Sequence, residues 1–114
     1  MAKNYLFIYS EQLAIDIELM CQSIKAPSNT LLQIRKSSSS VYANIREANY
    51  GQSKADMLSK FEIALKECSE TEGWLQLLFN TNSIDEDIYK KNRNLCGRIR
   101  RMLISSCKTL KEQK

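Results

Sequence analysis

Basic side chains crowd the end of this chain. Residues 90–114 carry nine lysines and arginines against a single acid, a balance of +8, whereas residues 1–89 carry 8 basic and 12 acidic residues, a balance of −4. Cationic groups at this density suit the neutralisation of phosphates, which releases counterions and makes nucleic-acid affinity fall with salt. The candidate phosphate-binding side chains in this segment are Lys90, Lys91, Arg93, Arg98, Arg100, Arg101, Lys108 and Lys111.

A solvated helix face is the competing interpretation of this charge, because the helix dipole favours cations near a C-terminus. Helical spacing places the apolar residues Ile88, Leu95 and Ile99 on one side of the segment, with the basic side chains pointing elsewhere. Arg35 and Arg46, eleven residues apart, share an outward helical face and complete the candidate set. No aromatic residues interleave with these basic residues, and no helix-turn-helix or RNA-recognition signature occurs, so any binding should be directed at the nucleic-acid backbone.

Residue types that support catalysis are sparse. The chain has no histidine, and its four cysteines lie far apart, at Cys21, Cys68, Cys96 and Cys107. A zinc site needs close cysteine pairs or histidines, and a cysteine nucleophile needs a base. We therefore expect buried reduced thiols, no metal or other cofactor, and no enzymatic activity. Glu72 falls on an apolar stripe, and we expect it either to lie at the edge of that stripe or to pair with a basic residue such as Arg46 or Arg98.

The composition is typical of a single globular domain spanning residues 1–114. The apolar fraction is 43% and the charged fraction 26%, and the scarcity of proline and glycine favours long helices. No apolar run approaches the roughly 18–20 residues of a membrane span. The first residues lack a secretory cleavage pattern, so we expect a cytoplasmic protein without a membrane partner.

Apolar spacing predicts four helices, at about residues 10–25, 30–48, 53–80 and 85–112. Short connections between long helices predict an all-α, antiparallel up-down-up-down four-helix bundle. Gly51 is expected to adopt a positive φ after the second helix, and Ser53 is expected to cap the third. Gly73 is expected to mark close packing. Asn44 and Asn92 lie near inward faces, where a buried contact between them could fix the helix register.

The segment Ser40–Ala48, followed by Gly51 and Ser53, resembles the small bacterial four helix bundle proteins, also known as 23S ribosomal RNA intervening-sequence proteins. The resemblance runs from about Leu13 to Leu110. Further residues that match the family are Phe61, Ile63, Ala64, Leu65, Glu70, Glu72, Leu75, Ile84 and Asp85. The sequence departs from the family at Asn49 and Gln52.

The resemblance implies a four-helix bundle that often assembles as a ring of five. Some relatives are encoded within ribosomal RNA insertions, and others are accessory proteins of retroelements that are thought to bind nucleic acid and a reverse transcriptase. The leading hypothesis is a non-enzymatic oligomeric bundle that binds RNA or DNA through its basic C-terminal helix, as an accessory to an RNA-processing or reverse-transcribing partner. The alternative is a structural or protein-interaction module that does not bind nucleic acid.

Overall fold

The computed structural model describes residues 4–51 and 53–113, and the predicted all-α fold is confirmed there. The helices are α1 (Tyr5–Ser23), α2 (Ser28–Ala48), α3 (Lys54–Asn80) and α4 (Glu86–Glu112). No strand occurs among these residues. Gln52, where the sequence departs from the family, and Lys114, which belongs to the basic segment, lie outside the described residues.

The four helices form an elongated bundle of 47 × 23 × 22 Å. Each helix packs against its neighbours in sequence, and α4 returns to pack against α1, where the contact is the least extensive of the four. The short connections make neighbouring helices antiparallel, so the predicted up-down-up-down arrangement is confirmed. In the described part of the chain, the helices of the diagonal pairs α1–α3 and α2–α4 approach each other less closely than those of these neighbouring pairs do.

The first helix begins earlier than predicted. It starts at Tyr5 rather than near residue 10, because the side chain of Asn4 accepts a hydrogen bond from the backbone N–H of Phe7 at 3.0 Å. Ser10 lies inside the helix, where its hydroxyl donates to the carbonyl of Phe7 at 3.0 Å. Ser10, at the predicted start of the helix, is therefore a buried residue in its interior. The bounds of the other three helices agree with the prediction to within two residues.

The turn between α2 and α3 does not use a left-handed glycine. No glycine in the described residues has a positive φ, so the prediction for Gly51 is wrong; the positive value, 61°, belongs to Asn82 in the next turn. Gly51 instead donates its N–H to the carbonyl of Ala48 at 3.1 Å, and a β-carbon would lie 3.1 Å from that same oxygen. Ser53 caps α3 as predicted, by accepting a hydrogen bond from the N–H of Asp56 at 3.1 Å.

The buried face of α4 is rotated by about one residue from the predicted one. Ile88 and Leu95, which were expected to point inward, are only partly buried, and so is Met102. The buried residues are Tyr89, Asn92, Cys96, Gly97, Ile99, Leu103 and Cys107. Tyr89 anchors this face by stacking on Phe79, with ring centroids 4.4 Å apart. The rotation turns Arg100 toward α3.

Small polar residues fill the contact between α2 and α3. Ser37 and Ser38 are 3% and 2% exposed. The hydroxyl of Thr71 donates to that of Ser37 at 2.8 Å, and Ser37 in turn donates to the carbonyl of Ile34 at 3.2 Å. The serine run is therefore part of the helix–helix contact, and each of its buried hydroxyls is hydrogen-bonded, that of Ser38 to the carbonyl of Arg35.

The predicted contact between Asn44 and Asn92 does not form. The amide nitrogen of Asn44 donates to Ser40 in its own helix at 2.9 Å. The amide nitrogen of Asn92 donates to the carbonyl of Ile88, also at 2.9 Å, whereas no donor among the described residues reaches the buried Oδ1 of Asn92. Each amide nitrogen therefore bonds within its own helix, which spacing along the chain does not reveal.

All four cysteines are buried and free, as predicted. The thiol of Cys68 donates to the carbonyl of Cys96 at 3.3 Å. A hydrogen bond from the Cys96 thiol to the Cys68 sulfur, together with burial, raises the pKa of Cys96. Burial also raises the pKa of Cys21 and of Cys107. The thiols of Cys21, Cys96 and Cys107 therefore stay protonated at neutral pH and act as small apolar groups.

Gly73 does not mark close packing, contrary to the prediction, since a β-carbon there would meet nothing within 4 Å. We expect Gly73→Ala to raise the free energy of unfolding by about 1 kcal/mol, because alanine is the better helix former and no clash opposes it. The midpoint of urea unfolding measures the change. A lower midpoint would contradict the expectation and would indicate that another copy of the chain packs against this position.

Candidate nucleic-acid interface

The ten predicted basic residues all reach the surface. Eight are exposed, and Arg35 and Arg100 are half-buried. Lys90, Arg101 and Lys108 lie on the side of α4 that faces away from the bundle, as its helical spacing indicated. The structure does not bring all ten onto one surface: Arg35 and Arg46 lie on α2, and α1 separates α2 from α4.

Carboxylates of the same chain engage five of the ten. The pairs are Arg35–Glu18 at 2.9 Å, Lys90–Glu86 at 2.6 Å, Lys91–Asp16 at 3.8 Å, Arg100–Glu72 at 2.9 Å and Lys111–Glu62 at 3.3 Å. Glu72 thus does pair with a basic residue, but the partner is Arg100 because of the rotation of α4. Ion pairs this exposed contribute about 0–1 kcal/mol, so they give way readily to another anion.

Arg35 and Glu18 form the best-aligned of these pairs. Nε and Nη2 of Arg35 donate to the two carboxylate oxygens of Glu18 at 2.9 and 3.1 Å. These hydrogen bonds lower the pKa of Glu18 and raise that of Arg35. A guanidinium held in this bidentate way ties α2 to α1 and has little left to offer a phosphate. Arg35 is therefore the weakest of the ten candidates.

Aromatic rings support three of the arginines that have no carboxylate partner among the described residues. The guanidinium carbons lie 5.9 Å (Arg46 to Phe7), 5.0 Å (Arg93 to Tyr89) and 5.1 Å (Arg98 to Tyr9) from the ring centroids. Such cation–π contacts orient the guanidinium without neutralising it. Sequence reasoning missed these rings. The contact between Tyr89 and Arg93 could have been predicted, because residues four apart are neighbours on a helix. The contacts of Phe7 and Tyr9 could not, because these residues lie at the other end of the chain.

A hollow of about 430 Å³ lies on α4 over Gly97, and we call it the Gly97 hollow. The residues that line it are Glu72, Arg93, Asn94, Gly97, Arg98, Arg100 and Arg101. Gly97 is buried, and a β-carbon on it would lie 3.3 Å from Nη1 of Arg101 and 3.6 Å from Nη2 of Arg100. Four arginines and one glutamate therefore line the hollow, and the guanidinium nitrogens of Arg100 and Arg101 lie nearest its glycine, which leaves a local excess of positive charge.

A larger hollow of about 820 Å³ lies at the turn between α2 and α3. Two basic residues, Arg46 and Lys60, and two acidic residues, Glu47 and Asp56, line it. Lys60 also pairs with Glu47 at 3.2 Å. This hollow is electrically balanced, so it offers an anion much less than the Gly97 hollow does.

Apolar side chains are exposed along one line of α1. Tyr5, Ile8, Ile15 and Leu19 are between 45% and 57% exposed, and their spacing places them on one helical face. Sequence reasoning missed this line. Among the apolar residues near the edges of the other helices, Trp74 and Phe79 pack against the core, Tyr42 is half-buried, and Ile104 is 49% exposed.

Two other site types are absent from the described part of the chain. No group of three or more cysteine, aspartate or glutamate side chains there could hold a metal ion. None of the four helices, over the residues described, combines the length and apolarity that crossing a membrane requires.

Comparison with known proteins agrees with the fold and with the resemblance seen in the sequence. The chain is similar to a protein of unknown function from the S23 ribosomal protein family of Bacteroides thetaiotaomicron, whose crystal structure superimposes with a TM-score of 0.84. The two sequences are 37% identical, and the match covers 90% of this chain and 98% of the other. No curated protein shows significant similarity. Residues 7–105 match the family described as 23S rRNA-intervening sequence protein, and the chain belongs to that family.

Proposed function

We propose that this protein is a non-enzymatic, oligomeric helical bundle that binds the backbone of RNA or DNA through α4. The observation that carries the proposal is the exposed face of α4, on which Arg93, Arg98 and Arg101 have no carboxylate partner among the described residues. The family description refers to 23S rRNA, which supports a nucleic acid as the ligand. The protein acts in the bacterial cytoplasm, as an accessory to an RNA-processing or reverse-transcribing partner.

The binding mode follows from the chemistry of the guanidinium group. Its planar fork of N–H donors matches two oxygens of one phosphate, and it is less strongly hydrated than the ammonium of lysine. The rings of Tyr89 and Tyr9 restrict the guanidinium groups of Arg93 and Arg98, so less conformational entropy is lost on binding. Contacts of this kind hold the phosphate backbone and do not distinguish one base from another.

Self-association strengthens the proposal. The exposed apolar line of α1 is unusual for a bundle that stays monomeric, and burying it against another copy removes it from water. A contact between two different faces of neighbouring copies closes into a ring when the rotation between them permits. The family resemblance favours a ring of five. Several α4 helices in one assembly then act on the same nucleic acid, which raises the overall affinity.

One observation favours the alternative function, a structural or protein-interaction module. Five of the ten candidate side chains already have carboxylate partners within the chain, so the usable charge is smaller than the sequence balance suggests. In that case α4 meets an acidic surface of a partner protein.

Salt titration separates the two functions. We expect the protein to bind fluorescently labelled random-sequence RNA and duplex DNA in anisotropy measurements, with log affinity falling linearly in log salt between about 50 and 200 mM. The two ligands should bind with similar affinity because the contacts are to the backbone. Retention of neither ligand at the lowest salt would contradict the proposal and favour the alternative. Sedimentation with and without RNA gives the oligomer size in the same samples.

A further inference from the structure

We infer that the Gly97 hollow holds one phosphate group of the bound nucleic-acid backbone and is the fixed contact in an otherwise diffuse interface. This inference rests on the proposed function, because it names the point on α4 at which that binding is anchored. The remaining basic residues of α4 then add affinity through long-range attraction, without defined positions for their phosphates.

The shape of the hollow comes from the glycine. Gly97 is the one position in this part of α4 with no side chain, and its backbone forms the floor. A β-carbon at this position would lie within 4 Å of two side-chain atoms, which are guanidinium nitrogens of Arg100 and Arg101. An alanine would therefore enter the space in which an anion would contact those two nitrogens.

The charges converge on the same point. Nη1 of Arg101 and Nη2 of Arg100 both approach the position above Gly97, although like charges repel. An anion between them converts that repulsion into attraction. Among the described residues, Glu72 is the one acid that lines the hollow, and its carboxylate is already engaged by Nε of Arg100 at 2.9 Å. The terminal nitrogens of Arg100 remain available, so Glu72 positions Arg100 rather than neutralising the hollow.

The other two arginines that line the hollow each stack on an aromatic ring. Arg93 lies 5.0 Å from the ring of Tyr89, and Arg98 lies 5.1 Å from the ring of Tyr9. The hollow is therefore lined by the backbone of Gly97, by the ion-paired Arg100, by Arg101, and by two arginines whose guanidinium groups stack on aromatic rings. The volume of about 430 Å³ is ample for a phosphate group with several bound waters, since a water occupies about 30 Å³ in the liquid.

Gly97→Leu tests the inference without changing any charge, because leucine fills the hollow and leaves every arginine present. The matched control is Gly73→Leu, which makes the same change at an exposed helical glycine on α3. We expect Gly97→Leu to weaken RNA binding roughly tenfold or more, as for the loss of a hydrogen bond to a charged group, and to lower the salt slope by about one. Gly73→Leu should bind like the wild type.

A second measurement uses inorganic phosphate and needs no nucleic acid. Phosphate should raise the thermal midpoint of the wild type above its value in chloride at equal ionic strength, and should not do so for Gly97→Leu. Circular dichroism of each variant checks that the helices are intact, and Gly97→Ala replaces Gly97→Leu if the larger side chain prevents folding. We expect Gly97→Ala to weaken RNA binding and phosphate stabilisation as well, but to a smaller extent.

Failure of the Gly97 hollow as a phosphate site and failure of nucleic-acid binding give different results in these experiments. If the wild type binds RNA and Gly97→Leu binds equally well with an unchanged salt slope, the inference is wrong while the proposed function stands. If the wild type fails to bind RNA or DNA at low salt, the proposed function is wrong. Stabilisation by phosphate in the absence of any RNA or DNA binding would overturn the assignment of the hollow to a nucleic acid.

Discussion

The double substitution Arg93→Glu and Arg101→Glu should weaken binding to random-sequence RNA by about a hundredfold or more at about 0.1 M salt. Each cationic group that neutralises phosphate charge contributes roughly a factor of ten under these conditions, and the two substitutions remove two cations and add two negative charges to the binding face. Neither arginine has a carboxylate partner among the described residues, and both are exposed. Helix content and oligomer size should therefore stay unchanged, as measured by circular dichroism and sedimentation.

The control for this experiment carries the same charge change elsewhere. Lys25 lies in the turn before α2, and Lys36 lies on α2; both are exposed. Lys25→Glu combined with Lys36→Glu alters the net charge as the first pair of substitutions does, but it leaves α4 untouched. Equal loss of affinity in the two variants would mean that net charge alone attracts the nucleic acid, and α4 would lose its special role.

Ser37→Leu should lower the free energy of unfolding by about 2–4 kcal/mol. Overpacking a filled helix–helix contact costs about 1–3 kcal/mol, and the hydrogen bond from Thr71 is also lost. Leucine is otherwise a better helix former than serine, so a loss of stability cannot come from helix propensity. Urea unfolding followed by circular dichroism measures the change.

Ser39→Leu is the matched control, because it makes the same substitution two positions along the same run. Ser39 is exposed, and its hydroxyl bonds only to the carbonyl of Lys36 in its own helix. Surface substitutions of this kind usually change stability by less than about 0.5 kcal/mol. Equal destabilisation by the two leucines would contradict the close packing of α2 against α3 at Ser37.

The architecture was predictable from the sequence because its signals are local. Apolar spacing, Pro27 and the Ser53 cap act within a few residues of where they stand, so helix number, order and most bounds follow from them. The start of α1 was missed because Asn4 caps a helix whose first turn, at Tyr5, looks like an apolar patch. The phase of α4 was missed because partly buried Ile88 outweighs Tyr89 on an apolarity scale, although the tyrosine stacks in the core.

The candidate interface was predictable only as a set of basic residues. Their distribution on α4 follows from helical spacing, and the structure places them at the surface as expected. Their partners come from distant parts of the chain: Glu72 lies 28 residues before Arg100, and Tyr9 belongs to the first helix. No pattern within one helix encodes such pairs. The Gly97 hollow was missed for the same reason, because an isolated glycine in a helix gives no indication of what surrounds it.

The burial of the thiols has a consequence for acidity. With no histidine in the chain and with the pKa of Cys21, Cys96 and Cys107 raised, none of these groups changes its protonation on folding between about pH 6 and 8. Above about pH 8.5 the unfolded thiols ionise while the folded ones hold their protons, so alkali favours the unfolded chain. Across the neutral range these side chains therefore do not make stability depend on pH. The attraction between the basic surface of α4 and an anion instead depends on ionic strength.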